Sequence, residues 1–595
     1  AMDLYALGNI SVRAVANPTM LTQSSLSLTA SSTNGFGRWR YNFFTYAPAT
    51  EVSAVSVAGN LLLGNQLESK TSLAFSTSSQ RSTVSTTWSE FYPPQLFAAA
   101  LQGDVGGNAL ADGNRIQFFP SAEGQVRVLA GGSVRNQFLE VTDIVPAALP
   151  SWSAAVATSG ESPLDSALIV FGASAANRLV QNPGRSDYDF RVQALDGNVV
   201  DSILVFPRRA AIEAGRDVRN VQLDVQNLDD SDVSLVRAGR DIRFAGFRSD
   251  GAPLVSFTNG GYFRVGGPGR FLAQAGRNLD LGTSEGINAG GNNFNLSLPS
   301  SESARLTVIA GVTGDVAYDA IDQLFVDLKG AGLAKDGAAG KKAIDIVLGS
   351  SNTHRGDLTM FTSAIKTQGG SGIDILVPDG DINAGLQVAG QKTDIGIVTT
   401  LGGGIRTYLS GDFNINQSKV ITLQGGDILA YSSGGNIDAG RGARDSRTTQ
   451  PPKRVAVLGT DGKPTGLFTF LPPIDASGAG IRTLTSDPDG AGSLRAPKPG
   501  DVYLFAPSGF IDAGEAGVSS AGNIFVAALQ VLNSNNFSAA GASTGVPLAP
   551  SSSISAGAAG ASNVGASATK SAEEMTRALV ASSAATAPTE TFKPS

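Results

Sequence analysis

Between Ala214 and Phe244 apolar residues fall at every second position, first at Val221, Leu223 and Val225, then at Val233 and Leu235. A period of two lines one face of a strand and excludes an amphipathic helix, whose apolar positions recur every three to four residues. The alternation is bracketed by two copies of one word, Ala214-Gly215-Arg216-Asp217-Val218 and Ala238-Gly239-Arg240-Asp241-Ile242, whose glycines stand 24 residues apart. Gly opens a corner with positive φ, Asp or Asn hydrogen-bonds its own backbone in a tight turn, and the β-branched residue re-enters an apolar interior. A turn that returns after one strand-rich lap predicts a chain that winds and meets itself one layer up.

Short Gly-Asp/Asn-apolar words recur along the whole chain, among them Gly8-Asn9-Ile10, Gly59-Asn60-Leu61, Gly356-Asp357-Leu358, Gly380-Asp381-Ile382, Gly426-Asp427-Ile428 and Gly522-Asn523-Ile524. A second word, Ile-Asn/Asp-Ala-Gly, starts at Ile287, Ile382, Ile437 and Ile511. Repetition at lap-like spacing favours an all-β parallel β-helix over β-sandwiches with glycine-rich hairpins. With one strand spacing of ~4.8 Å per lap, ~15 laps between Leu204 and Leu548 would rise about 70 Å.

Residues 1–150 are expected to be β-rich but irregular and continuous with the solenoid, with aromatic and proline excursions at Gly35–Pro48 and Trp88–Ala100. Residues 151–547 are expected to form the regular β-helix, interrupted by polar loops near 327–345 and 444–500. From 548 to 595 the Ala/Gly/Ser-rich composition reads as a flexible linker, with one short helix at 571–583. The Ala1-Met2-Asp3 start carries no signal-peptide pattern and is read as a cloning remnant on a fragment of a longer polypeptide.

Composition narrows the chemistry. Of 595 residues 72 are Gly, the formal net charge is −7, and Cys is absent. An acidic chain without a basic block argues against nucleic acid as a partner. No stretch approaches 18 consecutive apolar residues, so no transmembrane helix is expected. A long chain without cysteine suits a protein exported unfolded and held together by stacking rather than by disulfides.

His354 is the single histidine, which removes histidine-based zinc clusters. Gly541-Ala542-Ser543-Thr544-Gly545 has the spacing of a nucleophile elbow but sits in a small-residue run without the strand-to-helix context. The Asp487–Gly490 turn lacks the further ligands of a calcium loop, and no cofactor or metal is expected. Asp381, Asp412, Asp427 and Asp438 could stack as the carboxylates of a glycan-cleaving site, yet each lies in a turn word where Asp serves the backbone. Two candidate attachment sites stand out: Arg355-Gly356-Asp357, read as an exposed tripeptide at a loop tip, and Trp39 with Tyr41, whose rings could stack on sugars.

The longer words Gly425–Gly442 (GGDILAYSSGGNIDAGRG), Pro499–Val518 (PGDVYLFAPSGFIDAGEAGV) and Gly522–Asn533 (GNIFVAALQVLN), with Phe91–Val105 and Phe118–Val134, resemble the C-terminal region of filamentous-haemagglutinin-type large exoproteins of two-partner secretion systems. The resemblance covers most of residues 50–548. It implies a Gram-negative, secreted or cell-surface adhesin with roles in adhesion and biofilm, folded as a right-handed parallel β-helix. It further implies passage through an outer-membrane β-barrel transporter and attachment to a host or bacterial cell-surface glycan or receptor. The family's N-terminal secretion motifs are not found, since Asn17-Pro18-Thr19 does not match them, and there is no catalytic residue to carry over. The expected function is non-enzymatic attachment; the alternatives are a β-helix polysaccharide-degrading enzyme and a passive stalk whose binding tip lies elsewhere.

Overall fold

The computed structural model describes residues 1–15, 46–65, 91–107, 115–119, 121, 123–141, 188–245, 261–295, 298, 300–349, 351–385, 395–442, 478–485 and 497–547, with further strand backbone at 40–42, 156–158, 453–458 and 464–471. The chain divides into two units, Ala1–Pro547 and Leu548–Ser595. The second unit, with the helix expected at 571–583, lies outside the described residues.

One lap shows how the sequence builds the first unit. The strand Val233–Ala238 ends in the corner Gly239-Arg240-Asp241, the two-residue strand Ile242–Arg243 follows, and the next described strand is Tyr262–Gly266. Gly267-Pro268-Gly269 closes the triangle, and Arg270–Ala275 lies beside Val233–Ala238 in parallel, with Val233 opposite Arg270 and Ala238 opposite Ala275. Repetition gives three parallel stacks with a shared interior, which is a parallel β-helix.

The first stack holds fifteen strands among the described residues, from Met2–Ala6 to Ser543–Thr544. It therefore starts within the region expected to be irregular: Met2 faces Val52, and Val52 faces Leu96, in unbroken register. Beyond Leu204 there are ten such strands rather than ~15, because inserted segments stretch single laps. Asp427 and Asp501, 74 residues apart, are neighbours across one lap.

Inward positions form apolar columns. Val236, Ala273, Val308 and Ile375 follow one another in register and are at most 1% exposed. Each buried side chain of this size contributes about 1.5–3 kcal/mol, and the parallel ladder satisfies the backbone between laps.

The segment 327–345, expected to be a loop, is helical. The helices Ile321–Ala334 and Gly337–Leu348 form a hairpin inserted between the first-stack strand Arg305–Ala310 and the second-stack strand Leu358–Met360. Asp336 caps the second helix by accepting the Ala339 N–H at 3.0 Å. Leu324, Phe325, Leu328, Ile344 and Val347 bury against the outer face of the first stack, on Leu376, Tyr408, Leu429, Tyr431, Tyr503 and Phe505. For this reason the strands Ile373–Val377 and Ile428–Ser432 are buried at every position instead of alternating.

Candidate binding surface

The Gly-Asp/Asn words form two corners of the triangle, and their side chains join the laps. At the corner between the first and second stacks, the side-chain oxygen of one lap accepts the backbone N–H of the equivalent residue in the next. Asn9 receives Asn60 at 2.7 Å, Asn60 receives Asp104 at 2.8 Å, and Asp104 receives Ser133 at 2.6 Å. Ser133, Asn198, Asp217, Asp241 and Asn278 continue the chain to Asp357. Asp357 then receives Asp381 at 2.9 Å, Asp381 receives Asp412 at 2.6 Å, and Asp412 receives Asn436 at 2.8 Å. Gly239 is required here by contact: a Cβ at that position would sit 2.2 Å from the Gly215 carbonyl oxygen.

Arginines of the longer Ala-Gly-Arg-Asp/Asn words neutralise part of this column. Arg240 donates Nε and Nη2 to Asp217 of the lap below at 2.9 and 2.7 Å, and Arg277 pairs likewise with Asp241 at 2.6 Å. The two-pronged Arg240–Asp217 pair and the single-contact Arg277–Asp241 pair also fix lap register, because each joins adjacent laps.

A second ladder occupies the corner between the third and first stacks, where Asp427 receives Asp501, Asp501 receives Asn523 and Asn523 receives Ala542, at 2.9, 2.7 and 2.9 Å. The third corner carries the Ile-Asn/Asp-Ala-Gly word as a local turn. Asn383, Asp438 and Asp512 accept the N–H of Gly385, Gly440 and Gly514, at 3.1, 2.8 and 2.8 Å. Gly440 adopts φ 89°, which the turn needs and a Cβ would resist. The copy at Ile287 is different, because it lies within the third-stack strand Gly286–Gly291.

The four aspartates that could have stacked are therefore dispersed. Asp381 and Asp412 share one ladder, Asp427 belongs to the other, and Asp438 holds its own turn. Burial raises the Asp438 pKa, the Gly440 N–H opposes that shift and Asp512 reinforces it. Among the described residues no group of three or more His, Asp or Glu side chains is arranged to hold a metal ion.

Arg355-Gly356-Asp357 lies where the chain rejoins the solenoid after the helical hairpin, rather than at a loop tip. Gly356 is buried with its N–H on Asp379, and a Cβ there would meet the Arg277 carbonyl oxygen at 2.1 Å. Asp357 spends its carboxylate on the Asp381 N–H, and only Arg355 is exposed. Trp39 and the side chain of Tyr41 lie outside the described residues; the Tyr41 backbone pairs with Ala157 in a short antiparallel ribbon. Ser543 belongs to the last strand of the first stack, opposite Ile524, and not to a linker or a strand-to-helix elbow. His354 sits at the base of the hairpin, its Nε2 3.1 Å from the Thr313 hydroxyl.

A cleft of about 520 Å³ opens beside the entry to the hairpin, lined by Asp230, Arg270, Glu302, Arg305, Tyr318 and Ser371 among others. Its two arginines are held from below. Arg270 donates to the Thr307 hydroxyl at 2.8 Å, and Arg305 reaches Asp322 at 2.5 Å and the fully buried Asp374 at 3.6 Å. Burial lowers the pKa of Arg270; Asp374 opposes this and Arg305 adds to it. The Arg270 guanidinium also lies 5.7 Å from the Tyr318 ring centre. Guanidinium donors, carboxylate and hydroxyl acceptors and an aromatic ring thus share one concave surface. Sequence patterning did not reveal it, since its residues come from five segments that only the winding brings together.

No helix among the described residues is long and apolar enough to cross a membrane. No curated protein and no solved structure matches the chain. Residues 425–548 match the family model described as "Filamentous haemagglutinin family outer membrane protein". The matched stretch begins at the foot of the second ladder and takes in the first-stack strands from Ile428–Ser432 to Ser543–Thr544. Over these laps the chain is similar to outer membrane proteins of the filamentous haemagglutinin family.

Proposed function

We propose that the chain is the scaffold of a surface-displayed adhesin, exported through an outer-membrane β-barrel transporter, that attaches to a saccharide of a cell surface, matrix or biofilm. The family match over 425–548 carries this reading. The architecture supports it: nearly every acidic side chain singled out by the sequence is engaged on backbone or arginine, which suits display rather than turnover.

The cleft at Arg270 and Tyr318 is the proposed recognition site. With Asp230, Asp319 and Glu302 at its margin, it opposes a polyanion. Paired donors and acceptors beside a ring suit the vicinal hydroxyls of a neutral sugar. The test is retention of the whole chain on immobilised neutral, amino and acidic polysaccharides, with Glu302→Ala, Ser371→Ala and the double variant alongside. Binding to a neutral polymer that falls about tenfold in the double variant, a loss of about 1.4 kcal/mol, supports the site. Binding unaffected by both changes removes the cleft, and release of reducing ends replaces attachment with catalysis.

A further inference from the structure

The helical hairpin is made before most of the surface it covers. It leaves the solenoid after Ala310, yet its buried partners Leu376, Tyr408, Leu429, Tyr431, Tyr503, Phe505 and Ala527 all lie downstream. Upstream of the helices the buried part of that cluster holds Leu272, Ile309, Val312 and Val316, with the half-buried Leu235, Tyr318 and Ala320 packed against it. Until residues up to 527 have wound into laps, most of the surface that buries the apolar side of these helices is missing, and a hairpin of this length is marginal by itself in water.

The docked contacts bridge laps instead of decorating one. Asp322 on the first helix accepts from Arg305 at 2.5 Å and from Arg406 at 2.7 Å, two laps apart in the first stack. Between them Asp374 is fully buried and receives Arg406 Nε at 2.6 Å. Arg406 lies over the Phe325 ring at 4.6 Å, and Lys329 over the Tyr503 ring at 3.7 Å. The glycines complete the seat: a Cβ on Gly332 would come within 2.1 Å of the Phe505 ring, and one on Gly340 within 2.6 Å of the Tyr431 hydroxyl. At Gly330 a Cβ would meet nothing within 4 Å.

We propose that the hairpin is a latch that closes last. The laps wind in sequence order with their outer apolar column open, and docking of the two helices then fastens the laps from Arg270 to Ala528 into one cooperative block. Before closure the open column of tyrosines and phenylalanines is the sticky surface of the folding chain, and after closure it is sealed.

Pulse-labelling hydrogen exchange during refolding of the whole chain tests this without any substitution. The expected order is protection of strands 405–409, 428–432 and 502–506 first, and of helices 321–334 and 337–348 afterwards. Helices protected together with those strands, or before them, overturn the proposal. Native-state exchange of Gly332→Leu against Gly330→Ala supplies the second arm. Gly332→Leu is expected to release the hairpin and speed exchange in the laps it covers by about tenfold or more, leaving strands 190–194 and 199–205 unchanged. Hairpin protection retained in Gly332→Leu, or lost equally in Gly330→Ala, also overturns it.

Discussion

At the scale of single residues, a short polar side chain at a corner serves the lap above it. The ladder explains why Asp, Asn and Ser interchange there: each offers an oxygen to a backbone N–H. Asp381→Asn should therefore be tolerated, whereas Asp381→Ala leaves the Asp412 N–H without its acceptor and should cost about 1–3 kcal/mol in urea unfolding. The same reasoning bears on Asp357. Asp357→Asn keeps the acceptor for Asp381 but removes the carboxylate that an Arg-Gly-Asp receptor would need, so cell attachment of the whole chain should not change. A loss of attachment with unchanged stability would restore the tripeptide as a recognition site. Asp438 predicts a pH effect. Its raised pKa means that the folded chain holds the proton more tightly than the unfolded one, so stability falls as pH climbs from the ordinary carboxylate value, about 3.9, through the raised one. Asp438→Asn keeps the Gly440 contact and should be more stable than the parent at neutral pH, with the difference vanishing in acid. Denaturation midpoints at two pH values decide it.

At the scale of elements, the strands and the corners were legible and the helices were not. Alternating Val and Leu announced the strands, and the two corner words marked real turns because their side chains hydrogen-bond where they stand. The 15-residue gap between Gly411 and Gly426, which fits no lap, arises because the two glycines belong to different corners. The Ile287 word misled for the opposite reason: the same four residues also suit the interior of a strand. The helical hairpin was hidden by its glycines, which read as a loop on propensity and are there so that the helices can approach Phe505 and Tyr431. Its apolar spacing, Leu324 with Leu328 and Ile344 with Val347 and Leu348, was visible in principle. Tyr431 offers a test at this scale, because its hydroxyl is buried beneath Gly340 without a hydrogen-bond partner among the described residues. Tyr431→Phe should stabilise hairpin docking by about 1 kcal/mol in hairpin exchange rates, and destabilisation would show that the hydroxyl has a partner in solution. Asp322 behaves oppositely to Asp438. Burial acts upward on its carboxyl, but hydrogen bonds and charge from Arg406 and Arg305 hold it below the usual range. Its contribution is complete above the ordinary carboxylate pKa and is lost as pH falls through the lowered one, so exchange in the hairpin should accelerate in acid before exchange in the inner strands.

At the scale of the whole molecule, everything depends on the lap. A chain without cysteine, with few charges and many glycines, gains stability by setting each turn on the one before, and it displays clefts and insertions along the outside. The cleft could not be read from the sequence, because its walls come from 230–233, 268–270, 302–305, 318–319 and Ser371, which meet only after winding. The absence of native cysteine makes the decisive measurement clean. Arg219 and Arg243 are direct neighbours across one lap of the second stack, and Arg243 is in turn the neighbour of Asp280. One strand spacing of about 4.8 Å lies within disulfide reach, and two spacings do not. Under mild oxidation the Arg219→Cys/Arg243→Cys chain should close an intramolecular disulfide nearly completely, while Arg219→Cys/Asp280→Cys stays reduced. A chain that cross-links the second pair as readily as the first, or neither pair, would contradict the stacked helix and the adhesin scaffold built on it.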